Sequence, residues 1–409
     1  MRRIHARHSI PAAFSVLALT LASHAVAEEE TADLQPPTRD YYAYVCAESE
    51  DEVSLVRFGP SGLEVTSTVE VGSFPAEIEG PHGINVSPDG RHWYVSVAHG
   101  QPYGSIHKYS TGDNEWQESA NVGLFPATLD IAGSTGLLYV VNANFYGDHA
   151  PSTISVVETG SMTEVAQIDT GVMPHGARLS RDGKKLYSVN MMDDELVEVD
   201  ALRFEVARRL PLGTKSGHAG MHHGEHAMHG DQAMQDSSEE AAADVGSDTG
   251  GADLSHLPLK QKPMKMEIEP SWVSEPTSNG KIYITALSGS RVLEVDLESW
   301  KVTRTFETPN GPYNLAVTPD GERLIVTYKK SDSVGIWDLA SGEEVARIET
   351  TRRIPHGVAV TSDGRYSFVT VEGVGGEPGV VEVIDNLAGV RVAALEIGKQ
   401  AGGIALWER

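Results

Sequence analysis

Three histidines of this chain occupy one repeated frame: Pro81-His82-Gly83, Pro174-His175-Gly176 and Pro355-His356-Gly357. A second concentration of donors lies between the last two. There His218, Met221, His222, His223, His226, Met228, His229 and Met234 place five imidazoles and three thioethers within seventeen residues. Imidazole suits copper, zinc and nickel, whereas thioether selects soft ions, Cu(I) above all. The mixture therefore points to copper, with zinc as the other cofactor to consider. Alanine and glycine spacers impose no single geometry, so the tract reads as a device for capture or delivery. A histidine-rich surface loop with incidental affinity is the bland alternative.

The elements that must position the first three histidines are legible as a repeat. The fullest copy, Gly80-Pro81-His82-Gly83-Ile84-Asn85-Val86-Ser87-Pro88-Asp89-Gly90 followed by His92-Trp93-Tyr94-Val95-Ser96-Val97, is an alternating strand, an Asp-Gly turn and a hairpin partner. The frame returns at Pro126, Pro174, Pro270, Pro312 and Pro355, and without proline at Ala401. The steps are 45, 48, 96, 42, 43 and 46 residues. The outlier falls to about 43 once an insertion of roughly 53 residues is removed, and a period in the forties with several strands per unit is that of a propeller blade. The copy at Ala401 has only an inner strand. Tyr42–Cys46, Val53–Phe58 and Leu63–Val69 match the missing three. The expected fold is all-β: a seven-bladed β-propeller closed by pairing N-terminal strands with the C-terminal strand.

Both families of loops on one face of a propeller, outer strand to next inner strand and second to third strand, then gather the chemistry. Aligning the repeats gives a channel-mouth ring of His82, Ala127, His175, Ser271, Tyr313, His356 and Gly402. Its histidines stand in blades one, three and six, as near to a triangle as seven positions allow. Three converging imidazoles with an open position make a catalytic or exchangeable metal site. Tyr313 or Ser271 could complete it, and His99 and His149 belong to loops on the same face. Alternatively, each histidine simply caps a strand or bonds across neighbouring blades. Deeper in the channel, Asp130 and Arg178 read as a structural ion pair. Cys46, in a column with Ser96, Thr285, Thr327 and Thr370, reads as a core residue.

The remaining segments divide clearly. Arg2, Arg3 and Arg7 precede an apolar run, Ile10 to Leu21, and an Ala25-Val26-Ala27 site, so residues 1–27 read as a secretory signal peptide and 28–40 as an acidic linker. That run is shorter than the roughly 20 residues a membrane helix needs. The propeller spans 41–409, interrupted at 214–266 by the His/Met tract and an acidic, disordered stretch. The expected location is the periplasm or the medium. The formal charge of −26 argues against nucleic acid and anionic membranes as partners, and it also suits a soluble exported protein. One cysteine allows no internal disulfide.

The Pro-x-Gly-x-x-x-Ser/Thr-x-Asp-Gly frame followed by Tyr-Val-x-Asn, complete in Tyr139-Val140-Val141-Asn142 and nearly so in Tyr187-Ser188-Val189-Asn190, resembles the YVTN family of β-propeller repeat proteins. The resemblance implies an exported binding protein and fixes no activity. Three functions compete. The first is a metal-binding propeller, for copper, with a His/Met capture loop. The second is an enzyme: a copper oxidase, or a lactonase-like hydrolase using Glu79, Glu269 or Glu372 as general acid or base. The third is an acidic platform for a periplasmic protein partner.

Overall fold

The computed structural model describes residues 36–73, 77–100, 102–145, 150–214 and 266–408. These form seven four-stranded antiparallel sheets. The inner strands are Pro81–Val86, Pro126–Ala132, Pro174–Leu179, Pro270–Val273, Pro312–Val317, Pro355–Val360 and Ala401–Trp407, each starting where the repeat places it. The seventh sheet is composite. Ala401–Trp407 pairs antiparallel with Tyr41–Ala47, which continues to Glu52–Gly59 and Gly62–Glu70. The expected ring closure is thereby met. The signal peptide, His149 and the His/Met tract from His218 to Met234 lie outside the described residues.

The repeat residues are explained by turn chemistry and interlocking hydrogen bonds. In the Ser/Thr-x-Asp-Gly turns the hydroxyl donates to the aspartate, Ser87 to Asp89 at 2.6 Å and Thr361 to Asp363 at 2.6 Å. The glycine then takes positive φ, 70° at Gly90 and 73° at Gly364, a region in which a Cβ is strained. Between blades, aromatic and branched side chains fill the wedge. Trp93 is fully buried between Tyr44, at 5.0 Å, and Tyr109, at 4.2 Å between ring centroids. Burying such a ring contributes roughly 1.5–3 kcal/mol.

The hydroxyl column on the second strands ties each blade to the next. Thr370 Oγ1 accepts from Gly357 N–H at 2.8 Å and donates to the Gly402 carbonyl of the neighbouring blade at 2.6 Å. Thr285 does the same for Trp272 N–H and the Tyr313 carbonyl, and Thr327 for Asn314 N–H and the His356 carbonyl. Cys46 holds this place in the closing blade and is fully buried, as expected of a core residue.

Candidate channel-mouth site

The residue before each inner strand adopts positive φ in all seven blades: Gly80, Phe125, Met173, Glu269, Gly311, Ile354 and Gln400. Five of the seven carry a side chain there, so the backbone bears a repeated strain at the rim of the channel. This kink delivers the next-but-one residue, the ring position, to the axis. His82 and His175, two blades apart, have ring centroids 6.1 Å apart, and His82 and His356 are 5.8 Å apart. The three histidines therefore meet across the channel mouth, as the repeat predicts.

Each histidine is also held by the blade that follows it. His82 Nδ1 lies 2.8 Å from the Ala127 carbonyl and His175 Nδ1 2.8 Å from the Ser271 carbonyl. A carbonyl only accepts, so both Nδ1 atoms carry a proton, and a neutral ring then keeps its lone pair on Nε2. His356 faces the equivalent Gly402 carbonyl, although its Nδ1 is without a hydrogen bond of regular geometry. The cross-blade bonding considered from sequence thus coexists with convergence. Tyr313 joins the cluster: its hydroxyl lies 3.2 Å from His175 Nε2, and its ring 4.7 Å from that of His356. Burial, then the nearby Glu372 and Glu48, raises the Tyr313 pKa, so the phenol stays protonated and donates. Ser271 does not approach the site. Its hydroxyl is consumed by the Tyr313 carbonyl at 2.8 Å and by Thr285.

His175 and His356 are kept neutral. Burial, followed by His82 and Lys329, pushes His175 down to about 3, against which the Ser271 carbonyl works. Burial and then Lys329 hold His356 well below the ordinary histidine value. Neutral imidazole is the metal-binding form.

A second ring stands above the first. The position after the Tyr-Val-x-x strand carries Glu48, Ala98, Ala143, Met191, Leu287, Lys329 and Glu372. Three consecutive blades supply its polar arc. Lys329 Nζ pairs with Glu372 at 2.7 Å and lies 4.3 Å over the Tyr313 ring, while Glu372 is 3.8 Å from His356 Nε2. Glu48 fills the gap that Gly402 leaves in the first ring: a Cβ on Gly402 would stand 3.9 Å from Glu48 Oε2 and 4.0 Å from His356 Cε1. Glu48 is 6% exposed yet ionised. Burial alone would raise its pKa, but His82, His99 and Lys329 outweigh that and bring it below the usual carboxylate range. His99 Nε2 lies 2.9 Å from Glu48, and this bond raises the His99 pKa. His99 is therefore at the mouth, stacked 5.7 Å from Phe125. The column alignment that revealed the first ring would have added Glu48 and Lys329 to Glu372.

Other expectations are corrected. Glu79 bonds the Ser73 amide and Glu269 bonds the Ser288 hydroxyl, whereas Glu372 lies beside His356 of the ring. Asp130 and Arg178 form no ion pair. Asp130 accepts from Asn85 at 3.1 Å and from the Leu179 amide at 2.8 Å, while Arg178 lies 5.1 Å over Trp272 and donates to Ala177. Below the histidines the channel narrows to a void of ≈ 30 Å³, bounded by His82, Arg178, Trp272, Asn314 and His356. That holds about two water molecules. Among the described residues no group of three or more His, Cys, Asp or Glu side chains is already arranged to hold an ion.

No protein-family model matches the chain, and no curated protein matches it in sequence, so the YVTN resemblance rests on the repeat residues alone. Solved structures do match. Hydrazine synthase of Kuenenia stuttgartiensis is 18% identical with a TM-score of 0.57, over 82% of this chain and 92% of that one. A "putative 6-phosphogluconolactonase" of Bacteroides fragilis is 14% identical with a TM-score of 0.63, over 92% and 100%. Its counterpart from Bacteroides uniformis is 13% identical with a TM-score of 0.62, over 90% and 100%. At these identities the likeness shows the fold. The chain is a seven-bladed β-propeller, and its channel mouth is lined by histidine, tyrosine and carboxylate.

Proposed function

We propose that the protein is an exported metal-binding propeller of the YVTN type, in which His82, His175 and His356 hold a copper ion, or zinc in its place, at the channel mouth. The observation that carries this reading is the shared anchoring of His82 and His175. Each has its Nδ1 proton on a backbone carbonyl and its Nε2 lone pair free of that anchor, the outer-sphere arrangement of metal-ligating histidine. Three imidazoles around one ion at 2.0–2.1 Å would have centroids about 5 Å apart. The observed 5.8 and 6.1 Å require a small contraction and release of the Tyr313 hydroxyl from His175. The anionic Glu48 beside His82 favours a cation there, and Lys329 opposes it. The His/Met tract serves as the capture loop.

The test is metal content per chain, for the full protein and for His82→Ala/His175→Ala/His356→Ala, after loading with copper or zinc and extensive dialysis. The triple variant is expected to lose about one tightly held ion per chain. Equal retention by both proteins would end the axial-site reading and leave the tract as the only metal-binding element.

One observation favours a second reading, a lactonase-like hydrolase. Glu48 is a buried, ionised carboxylate hydrogen-bonded to His99 at the mouth, a group able to accept a proton from an attacking water there. Two structural neighbours bear a lactonase description. Metal-free protein would then open a lactone, and Glu48→Gln would abolish the activity. No turnover of a lactone panel by metal-free protein rejects this reading.

A further inference from the structure

The two halves of the channel mouth differ in chemical softness. Blades five, six and seven present Lys329, Glu372 and Glu48, all hard groups. Blade three alone carries methionine both in the positive-φ position before its proline and in the second ring: Met173 precedes Pro174-His175, and Met191 follows Asn190, the register partner of Pro174. The equivalent positions elsewhere are filled by Gly, Phe, Glu, Ile, Gln, Ala, Leu or Lys, so the fold has no need of sulfur there. The pair is joined through the backbone, Met191 N–H to the Met173 carbonyl at 2.9 Å. Both side chains pack in one cluster with Leu287 and Tyr313, and the Tyr313 hydroxyl is the group that covers His175 Nε2. Met173 is half-buried and Met191 is 6% exposed, so the pair runs inward from the rim to Tyr313, which contacts His175.

We propose that Met173, Met191 and His175 form a Cu(I) site on the blade-three side of the mouth, through which the soft ion enters the histidine ring. This rests on the metal reading above and adds the oxidation state and the port of entry. Two thioethers and one imidazole suit Cu(I) and discriminate against Zn(II). The unbranched, three-torsion methionine side chain can swing toward an ion without backbone movement.

The test uses the full-length chain with the tract silenced, His218, His222, His223, His226 and His229 to Ser and Met221, Met228 and Met234 to Leu. Into it go Met173→Leu/Met191→Leu, or Met192→Leu as a matched control. Cu(I) affinity is read by competition with a chromogenic chelator under anaerobic ascorbate, and Zn(II) affinity by a fluorescent chelator. The expected result is that the double variant weakens Cu(I) by about tenfold or more, with Zn(II) and the control changed less than about twofold. Volume-conserving Met→Leu exchange keeps the core packed, and an unchanged thermal midpoint verifies it. Cu(I) affinity unaltered in the double variant overturns the thioether site even if Zn(II) still binds through the ring. Loss of Cu(I) in the double variant and in His175→Ala, but not in His82→Ala or His356→Ala, keeps the thioether site and removes the ring. Binding of neither ion by the tract-silenced chain removes both.

Discussion

Gly80 shows how a single missing side chain arranges this site. At φ 66° it sits in the left-handed region, and a Cβ built there would lie 2.5 Å from the His99 ring. Gly80→Ala therefore cannot keep the ring in place. We expect a loss of about 1–3 kcal/mol in urea unfolding and, by NMR titration, a drop of the His99 pKa toward its ordinary value as its bond to Glu48 breaks. The pH dependence of stability follows from the same residues. His175 and His356 have folded pKa values below the ordinary 6.5, so between the two values the unfolded chain binds more protons. Their contribution is complete above about pH 6.5 and declines as the pH falls toward 3. His99 has the opposite sign: its raised pKa stabilises below 6.5, and that contribution fades as the pH rises through the folded value. With two buried groups against one partly exposed, the net expectation is falling stability on acidification from pH 7 to pH 4. Urea midpoints should show that fall blunted in His175→Gln/His356→Gln; an identical pH slope in both proteins would contradict the neutral-histidine assignment.

At the scale of the element, the hydroxyl column distinguishes a residue that holds blades together from one that performs chemistry. Thr370 satisfies the buried Gly357 amide and the Gly402 carbonyl at once. Thr370→Val keeps the shape and leaves both groups unpaired, which costs about 1–3 kcal/mol for each buried polar group left unsatisfied. The measurable outcome is a lowered urea midpoint with metal stoichiometry unchanged. Glu48→Gln should behave the other way round, with a small change in midpoint and a large change at the mouth, because its partners are side chains of the site. A Thr370→Val protein as stable as the parent would show that the neighbouring blades repack around the lost clamp.

For the whole molecule, the joint between the ends of the chain is the point of vulnerability. Tyr41–Ala47 is paired on both sides, by Glu52–Gly59 and by Ala401–Trp407. Deleting residues 401–409 would expose the inner edge of the seventh sheet, remove Gly402 and Gly403 from the channel, and strip Trp407 from its contacts with Tyr42 and Tyr44, at 5.6 and 5.9 Å. An unpaired edge in a sheet protein promotes association between chains. The truncated protein is therefore expected to aggregate, or to elute as oligomers in size-exclusion chromatography, where the full chain gives a folded species.

Much of this architecture is local and repeated, and for that reason it was written in the sequence by itself. The inner-strand frame recurs seven times, with Asp-Gly turns in four of the copies and steps near 42–48 residues once the insertion is removed, so strand starts, blade count and the composite closure could all be counted along the chain. The Pro-His-Gly column lies in register with that repeat, which is why the positions of His82, His175 and His356 at the mouth could be inferred. Partners across the channel follow no such register. That Asp130 bonds Asn85 and not Arg178, that Ser271 is consumed by a neighbouring carbonyl, and that Glu48 occupies the gap left by Gly402 depend on side-chain directions over distances of a few ångströms between blades remote in sequence. Only the closed ring brings those atoms together, because its curvature and the seven positive-φ kinks set where each side chain meets the axis.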